Sequence, residues 1–555
     1  MNNELYAQVI AKTNLRYDAQ EQRLKVELPV KANIALDTIV RYAKGDTAEH
    51  TALLFEDAQG EIHRYSFAEL DRLSDRLAKG LRALAVQRGE PVVVHTGQSP
   101  QTVIAHMAIY KLGAIVLTLS QLYGPDTVAH ILNDSKARII ITDDNAWGSL
   151  RAHRARFGSL EHCVVVGDTV ADEMSFAQCL IDDASQLIPV ETDADEPALL
   201  MYTSGSTGMP KGMLHAHRII HAYRPSLTMV YNLELDKPGQ VFWSPADWAW
   251  VGGLLDAILP AWQHGQTVVA TQHRFDAEWA FDFMARHAVT HSFMTPTALK
   301  RLAEIKQPRK RWRLKLRVVC TGGESLPGET VRWAEHDLGI VCNEFYGLTE
   351  FNHMVGNCQA LYPIVPGSMG RAFPGRRVAI IDEHGNEQGD GVVGEIASWR
   401  AYDPTLFMGY WGNPGVPERM RIGGWLRSGD LALRDEHGYF WYQGRNDDLI
   451  KSAGYRIGPA EVEDALVKHP HVAEAAVVGR PDPERGAIVV AFVRLALGAQ
   501  PSAQLKRELQ QFVKDNLATY KYPREIEFVD SFPLTSSGKI RRAELRARLL
   551  ASTPP

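Results

Sequence analysis

The sequence predicts an α/β fold: a large N-terminal domain of parallel-sheet layers carrying a β-rich subdomain, and a small α+β domain at the C-terminus. Three observations lead there. Short β-branched runs alternate with helically spaced apolar stretches for hundreds of residues, the pattern of parallel strands joined by crossover helices. Near residue 375 the texture changes to strand–turn–strand pairs. After Asn446 a compact, self-sufficient set of elements begins. The 555 residues are too many for one core, and a typical domain of roughly 150 residues implies about three or four compact units.

In chain order, "TALLFEDAQGEIHRYSF" (51–67) reads as strand, turn, strand. "AELDRLSDRLAKGLRALAV" (68–86) has helical apolar spacing. "GEPVVVHTG" (89–97) and "ARIIITDD" (137–144) are strands, with "PQTVIAHMAIYKLGA" (100–114) a helix between them. "RRVAIIDEHGNEQGDGVVGEIAS" (376–398) and "GWLRSGDLALRDEHGYFWYQGR" (424–445) each carry "DEHG" as their turn and place the β-rich subdomain at about 375–446. The tail, 447–555, offers helix "PAEVEDALVKHP", strands "VAEAAVVGR" and "AIVVAFVRL", helix "AQLKRELQQFVKDNL" and a last helix from Arg541. The boundary between the N-terminal domain (1–446) and this tail lies in the polar, Gly-bearing "GRNDDLIKSAGYRIG".

Composition narrows the function. A formal net charge of −6 gives no sign of a nucleic-acid binder. Five cysteines without a CxxC spacing suggest neither a disulfide framework nor a zinc site. The first residues carry both signs of charge and no apolar core of a signal peptide, and no apolar run reaches membrane-spanning length. The expected address is the cytoplasm; oligomeric state is not legible.

Chemistry enters at "LLMYTSGSTGMPKGMLHAH" (199–217). "ALLMY" (198–202) is a short buried strand, and a helix is expected after Gly212. Between them Thr203, Ser204, Gly205, Ser206, Thr207, Gly208 and Lys211 form a loop that cannot bury an apolar face. Glycines let backbone N–H groups converge, hydroxyls add donors and lysine adds charge, which suits an anion. The order fits neither GxxxxGK[ST] nor GxGxxG. Standing alone, the stretch would equally be a flexible surface loop.

It has company. "YTSGSTGMPKG" (202–212), "YGLTE" (346–350), "GWLRSGD" (424–430), "GRNDDLIKSAGYRIGPAEVE" (444–463) and "PLTSSGKIRR" (533–542) occur in one order. Together they resemble the adenylate-forming superfamily of acyl-CoA synthetases, peptide-synthetase adenylation domains and luciferases, from about residue 30 to the C-terminus. The tail is most similar to that of medium-chain acyl-CoA synthetases. The resemblance implies an ATP-dependent acid–thiol ligase using ATP, Mg²⁺ and coenzyme A, which adenylates a carboxylic acid and then forms a thioester. An anionic acid must meet an anionic α-phosphate, so such a site needs cations and donors where charge gathers.

Residue by residue, the resemblance places Thr203 to Gly208 and Lys211 on the β- and γ-phosphates, and Thr349 on the α-phosphate. Glu350 becomes the Mg²⁺ ligand; a carboxylate is the hard oxygen donor Mg²⁺ requires. Asp430 holds the ribose hydroxyls; Arg445 and Arg456 join the nucleotide site. Gly322, Gly323, Glu324 and Ser325 flank adenine, with Tyr346 stacking on it. Lys539 is the catalytic cation that bridges carboxylate and phosphate. Asp447 is the hinge of a mobile C-terminal domain, and Gly454 approaches coenzyme A. Trp250, Val251, Gly252 and Gly347 wall the acyl pocket. Acetate-specific relatives carry Trp where this chain has Gly347, so a wider pocket and a medium-chain, branched, cyclic or aryl acid are expected. Leu348 and Phe351-Asn352-His353 depart from the medium-chain pattern.

Two rivals remain at this level: transfer to a phosphopantetheinyl carrier protein, and a non-catalytic nucleotide or acyl sensor, although Lys539, Glu350 and Asp430 are all present. Other signals carry less. His215 and His217, expected on different sides of a helix, do not suggest a metal pair. The basic stretch 306–317, "KQPRKRWRLKLR", reads as a solvated face before the strand "LRVVCTGGE".

Overall fold

The computed structural model describes residues 4–203, 209–415, 417–446, 448–453, 455–517, 520–534 and 540–551. Two nine-stranded sheets form the body. In the first, strands Ile115–Thr118, Pro91–His95, Ile139–Asp143 and His162–Val166 run parallel, with Pro197–Thr203 parallel beside Ile115–Thr118. The second is built on parallel strands Thr51–Glu56, Thr267–Thr271, Val241–Trp243, His291–Phe293, Val318–Thr321 and Val341–Leu348.

The alternation of side chains explains the layers. Val92 and Val94, like Ile139 and Ile141, face one core, while Val93 and Ile140 face the other. Both faces are apolar because helices cover both, as parallel sheets require. Helix Pro100–Lys111 is buried on nearly every side, so its sequence shows no polar face. Helix Phe67–Ala83 starts on a reciprocal cap, Ser66 accepting from the Glu69 N–H and Glu69 accepting from the Ser66 N–H.

Residues 378–445 form a five-stranded antiparallel sheet, in which the two "DEHG" turns join Val378–Ile381 towards Gly394–Trp399 and Trp425–Arg434 to Phe440–Arg445. Within this stretch, strands Gly409–Tyr410 and Asn413–Pro414 leave it and extend the edge of the first nine-stranded sheet. The tail holds hairpin Ile450–Ser452/Tyr455–Ile457 and a three-stranded sheet, with helices Pro459–Val467, Ala503–Asn516 and Arg542–Ala551.

Three expectations change. The segment after Gly212 is not a helix but strand Lys211–Ala216, antiparallel to Pro197–Thr203 with Thr203 opposite Lys211. Apart from exposed Lys211 and half-buried Leu214 the strand is buried on both faces, so it offers no alternation that would mark it as a strand. His215 therefore sits on a strand with His217 just past its end; both are buried, and His217 accepts the Ile34 N–H through Nδ1 at 3.2 Å. The basic stretch is only partly a solvated face. Arg309 donates to the carbonyls of Leu314, Leu316 and Leu338, while Arg311 and Arg317 pair with Glu278 and Glu234.

Candidate active site

A cavity of about 900 Å³ opens at the carboxyl ends of the parallel strands, where α/β proteins bind ligands. Thr203 and Gly322 reach its wall as the last residue of one strand and the first after another. Ser428, Gly429, Arg445 and Asn446 come from the five-stranded sheet and its end, and Leu534 from the C-terminal domain.

One end is polar. The Thr203–Lys211 pairing locks both ends of the hydroxyl-rich loop. Gly212 is obligatory there, because a Cβ would stand 2.8 Å from the Tyr202 ring. Lys211 is exposed, its Nζ 5.6 Å from the centre of the Tyr410 ring. The Tyr410 hydroxyl donates to Glu350 Oε1 at 3.0 Å. Thr349 and Glu350 form the turn between antiparallel strands Val341–Leu348 and Asn352–Gly356, which delivers hydroxyl and carboxylate together to the wall. Gly322, Gly323 and Glu324 line it as well, with Glu324 accepting from the Thr297 hydroxyl at 2.6 Å. A Cβ on Gly322 would lie 2.8 Å from the Phe345 carbonyl oxygen, and Gly323 has φ +90. Ser325 is not on the wall.

Asp430 and Tyr346 stand behind this surface. The Tyr346 hydroxyl donates to Asp430 Oδ2 at 2.7 Å, and burial beside that carboxylate pushes its phenol well up. Asp430 is opposite Arg445 across the strand pair. The hydroxyl of Tyr346 is thus committed to the carboxylate, while its neighbours Phe345 and Gly347 make the wall. Sequence reasoning missed Arg427, on the wall and paired with Glu395 at 2.8 Å, and Tyr410.

The other end is mainly apolar. Trp250, Val251 and Gly252 line it with Phe293 and Phe345. Gly252 lets the Phe293 ring lie against its helix; a Cβ would overlap the ring. Helix Val251–Gly253 opens into a π-turn, Leu254–Ile258. Pro260 explains the wide turn: it has no N–H to give the carbonyl four residues back. That carbonyl, of Asp256, accepts instead from the Tyr231 hydroxyl at 2.7 Å. Asp256 is consequently presented to the cavity, where His353, Asn352 and Tyr223 join it. A charged residue inside "GLLDAILP", four before a proline, was the available signal.

Gly347 has a different explanation from the one its sequence suggested. A Cβ there would overlap the Asn352 carbonyl, so the backbone itself demands glycine at this bulge. The roomy pocket beyond is not the imprint of a missing indole alone. Ser204 to Gly208, Asp447, Gly454 and Lys539 lie outside the described residues, as does the side chain of Arg456.

Residues 40–411 match the model of the AMP-binding enzyme family, and residues 461–539 that of the AMP-binding enzyme C-terminal domain. The chain is 35% identical over 525 residues to acetyl-coenzyme A synthetase of Bacillus subtilis, covering 93% of this chain and 90% of that one. It is 32% identical over 549 residues to the mitochondrial acyl-coenzyme A synthetase ACSM3 of Mus musculus, with 97% and 94% covered. Among solved structures, the anthranilate CoA ligase AuaEII in complex with anthranoyl-AMP superposes with a TM-score of 0.86 at 28% identity, covering 95% of this chain and 99% of that one. A benzoate CoA ligase from Burkholderia xenovorans LB400 gives 0.80 at 28%, with 93% and 99% covered.

Proposed function

The chain belongs to the AMP-binding enzyme family and is an AMP-forming acid–thiol ligase that uses ATP and coenzyme A; we propose how its cavity divides that work and which acids it accepts. A carboxylate oxygen attacks the α-phosphorus of ATP and pyrophosphate leaves. The thiol of coenzyme A then attacks the acyl carbonyl and AMP leaves.

In this reading the polar end holds the nucleotide. Lys211, Thr203 and the loop 204–208 take the β- and γ-phosphates, Thr349 the α-phosphate, and Asp430 with Arg445 and Arg456 the ribose and its phosphate. Gly322, Gly323, Glu324 and Ser325 flank the base. Tyr346 fixes the Asp430 carboxylate rather than relying on stacking alone. Glu350, with the Thr349 hydroxyl beside it, is the hard-oxygen set that suits Mg²⁺, whose charge would offset that of the phosphates. Lys539 bridges acid and phosphate during adenylation and is withdrawn when the C-terminal domain turns about Asp447, which brings Gly454 to the coenzyme A thiol.

The observation that carries this reading is the arrangement of one cavity: Thr203, Lys211, Thr349 and Glu350 at one end, Trp250, Val251 and Gly252 at the other. We propose that the acyl end takes branched, cyclic, aryl or medium-chain acids in preference to acetate, because two carbons would leave most of its apolar wall uncovered. The test is a panel of carboxylic acids, acetate included, with pyrophosphate release and coenzyme A consumption followed separately. Larger acids should surpass acetate in kcat/KM. Acetate as the best substrate would overturn the choice of acid, and an absence of pyrophosphate with every acid would overturn the assignment of the cavity.

A further inference from the structure

At the far end of the acyl pocket Asp256 and His353 face one another, 2% and 1% exposed, both on the cavity wall. Asp256 Oδ1 and His353 Nε2 are 3.1 Å apart, within ion-pair distance, and neither atom has a hydrogen-bond partner elsewhere. Polar atoms this deeply buried with so few partners are costly, so the pair calls for an explanation.

The protonation pattern supplies one. The Ser226 hydroxyl donates to the Tyr223 carbonyl at 3.0 Å. Its oxygen lies 3.1 Å from His353 Nδ1. That contact and the one to Asp256 Oδ1 take up the two ring nitrogens of His353. Burial pushes the imidazole below its ordinary range and the Asp256 carboxyl above its own, so it opposes the charge on both. One proton at most lies between Nε2 and Oδ1, so the carboxylate keeps lone pairs for a donor entering from the cavity. The Tyr223 hydroxyl donates to Asn352 Oδ1 at 2.7 Å and the Asn352 amide to the Thr405 carbonyl at 2.6 Å, so both have other partners.

Building on the acyl pocket assigned above, we propose that Asp256 and His353 are specificity-determining residues that read a hydrogen-bond donor at the far end of the acid, an amino group before a hydroxyl. An amino group brings two or three N–H donors to this pair, whereas a hydroxyl brings one. The rings of Phe345 and Tyr223, centred 4.0 and 4.6 Å from that of His353, would flank the group. A second carboxylate on the acid would meet Asp256 and be rejected. Sites that hydrogen-bond a substrate group discriminate far more strongly against its absence than apolar pockets do against an extra methylene.

The test uses the full-length enzyme and matched acids differing only in a terminal amino, hydroxyl or methyl group: the 2-, 3- and 4-substituted benzoates, and 6-aminohexanoate, 6-hydroxyhexanoate and heptanoate. Pyrophosphate release gives kcat/KM for each. In at least one series the amino acid should exceed its methyl counterpart by about 10-fold or more, with the hydroxyl between them. Asp256→Asn keeps the shape and removes the charged acceptor, so the ratio should fall toward one; Asp256→Leu should favour the methyl acid. Methyl acids at least as good as amino acids in every series would overturn the proposal, as would a preference that Asp256→Asn leaves unchanged. Release of pyrophosphate with no acid at all would instead strike the acyl-pocket assignment beneath it.

Discussion

The two ends of the cavity are built by opposite means. At the nucleotide end, Thr203 and Lys211 belong to one hairpin and Thr349 and Glu350 to one turn, so each pair arrives from a contiguous stretch. At the acyl end, Tyr223, Trp250, Asp256, Phe293 and His353 come from four separate regions of the chain and meet only in the fold. Phosphate chemistry is common to every acid an enzyme of this kind could take, so short local segments can encode it. The acid is what varies, and its pocket is assembled from packing.

If the division is real, substitutions should separate the two ends. The largest effect is expected from Lys539→Ala: adenylation should drop by ~10²-fold or more, while thioester formation from supplied acyl-adenylate is spared. Equal loss in both half-reactions, measured by pyrophosphate release and thioester formation, would show that the lysine does not act in the first step alone. Next, Trp250→Ala strips an aromatic wall from the acyl end. KM for the acid should rise by about 10-fold, with KM for ATP unmoved. Tyr346→Phe is the converse. It takes one donor from the buried Asp430 carboxylate, and KM for ATP should rise by roughly 5- to 10-fold with the acid unaffected. A shift of both constants in either variant would blur the boundary between the ends.

The smallest effect concerns Gly347. Because a Cβ would overlap the Asn352 carbonyl, Gly347→Ala should lower stability by about 1–3 kcal/mol, read as a denaturant midpoint, rather than simply shorten the accepted acid. A stable variant with an altered acid preference would restore the reading of this glycine as a gate.

Legibility in the sequence followed the same line. The parallel layers could be read from "GEPVVVHTG" and "ARIIITDD", whose β-branched runs are short enough to be strands and continuous because both faces are buried. Strand Lys211–Ala216 was misread, since it is buried on both faces beyond Lys211 and shows no alternation, and its partner strand lies across the loop. The stretch 203–211 became a candidate only in company with four other motifs in one order, since alone it would equally be a surface loop. Asp256 escaped because its role depends on Pro260 opening a turn and Tyr231 closing the vacated bond. His353 escaped because the groups it meets, Ser226 and Asp256, lie far from it in sequence.

The account rests on one cavity joining acid to nucleotide, and a single turnover without thiol tests it most directly. Enzyme mixed with ATP, Mg²⁺ and an accepted acid should release one equivalent of pyrophosphate and retain one equivalent of acyl-adenylate. Coenzyme A added afterwards should convert that adenylate to acyl-CoA and AMP. Cleavage of ATP to ADP and phosphate, or AMP released with no acyl-adenylate ever formed, would contradict it.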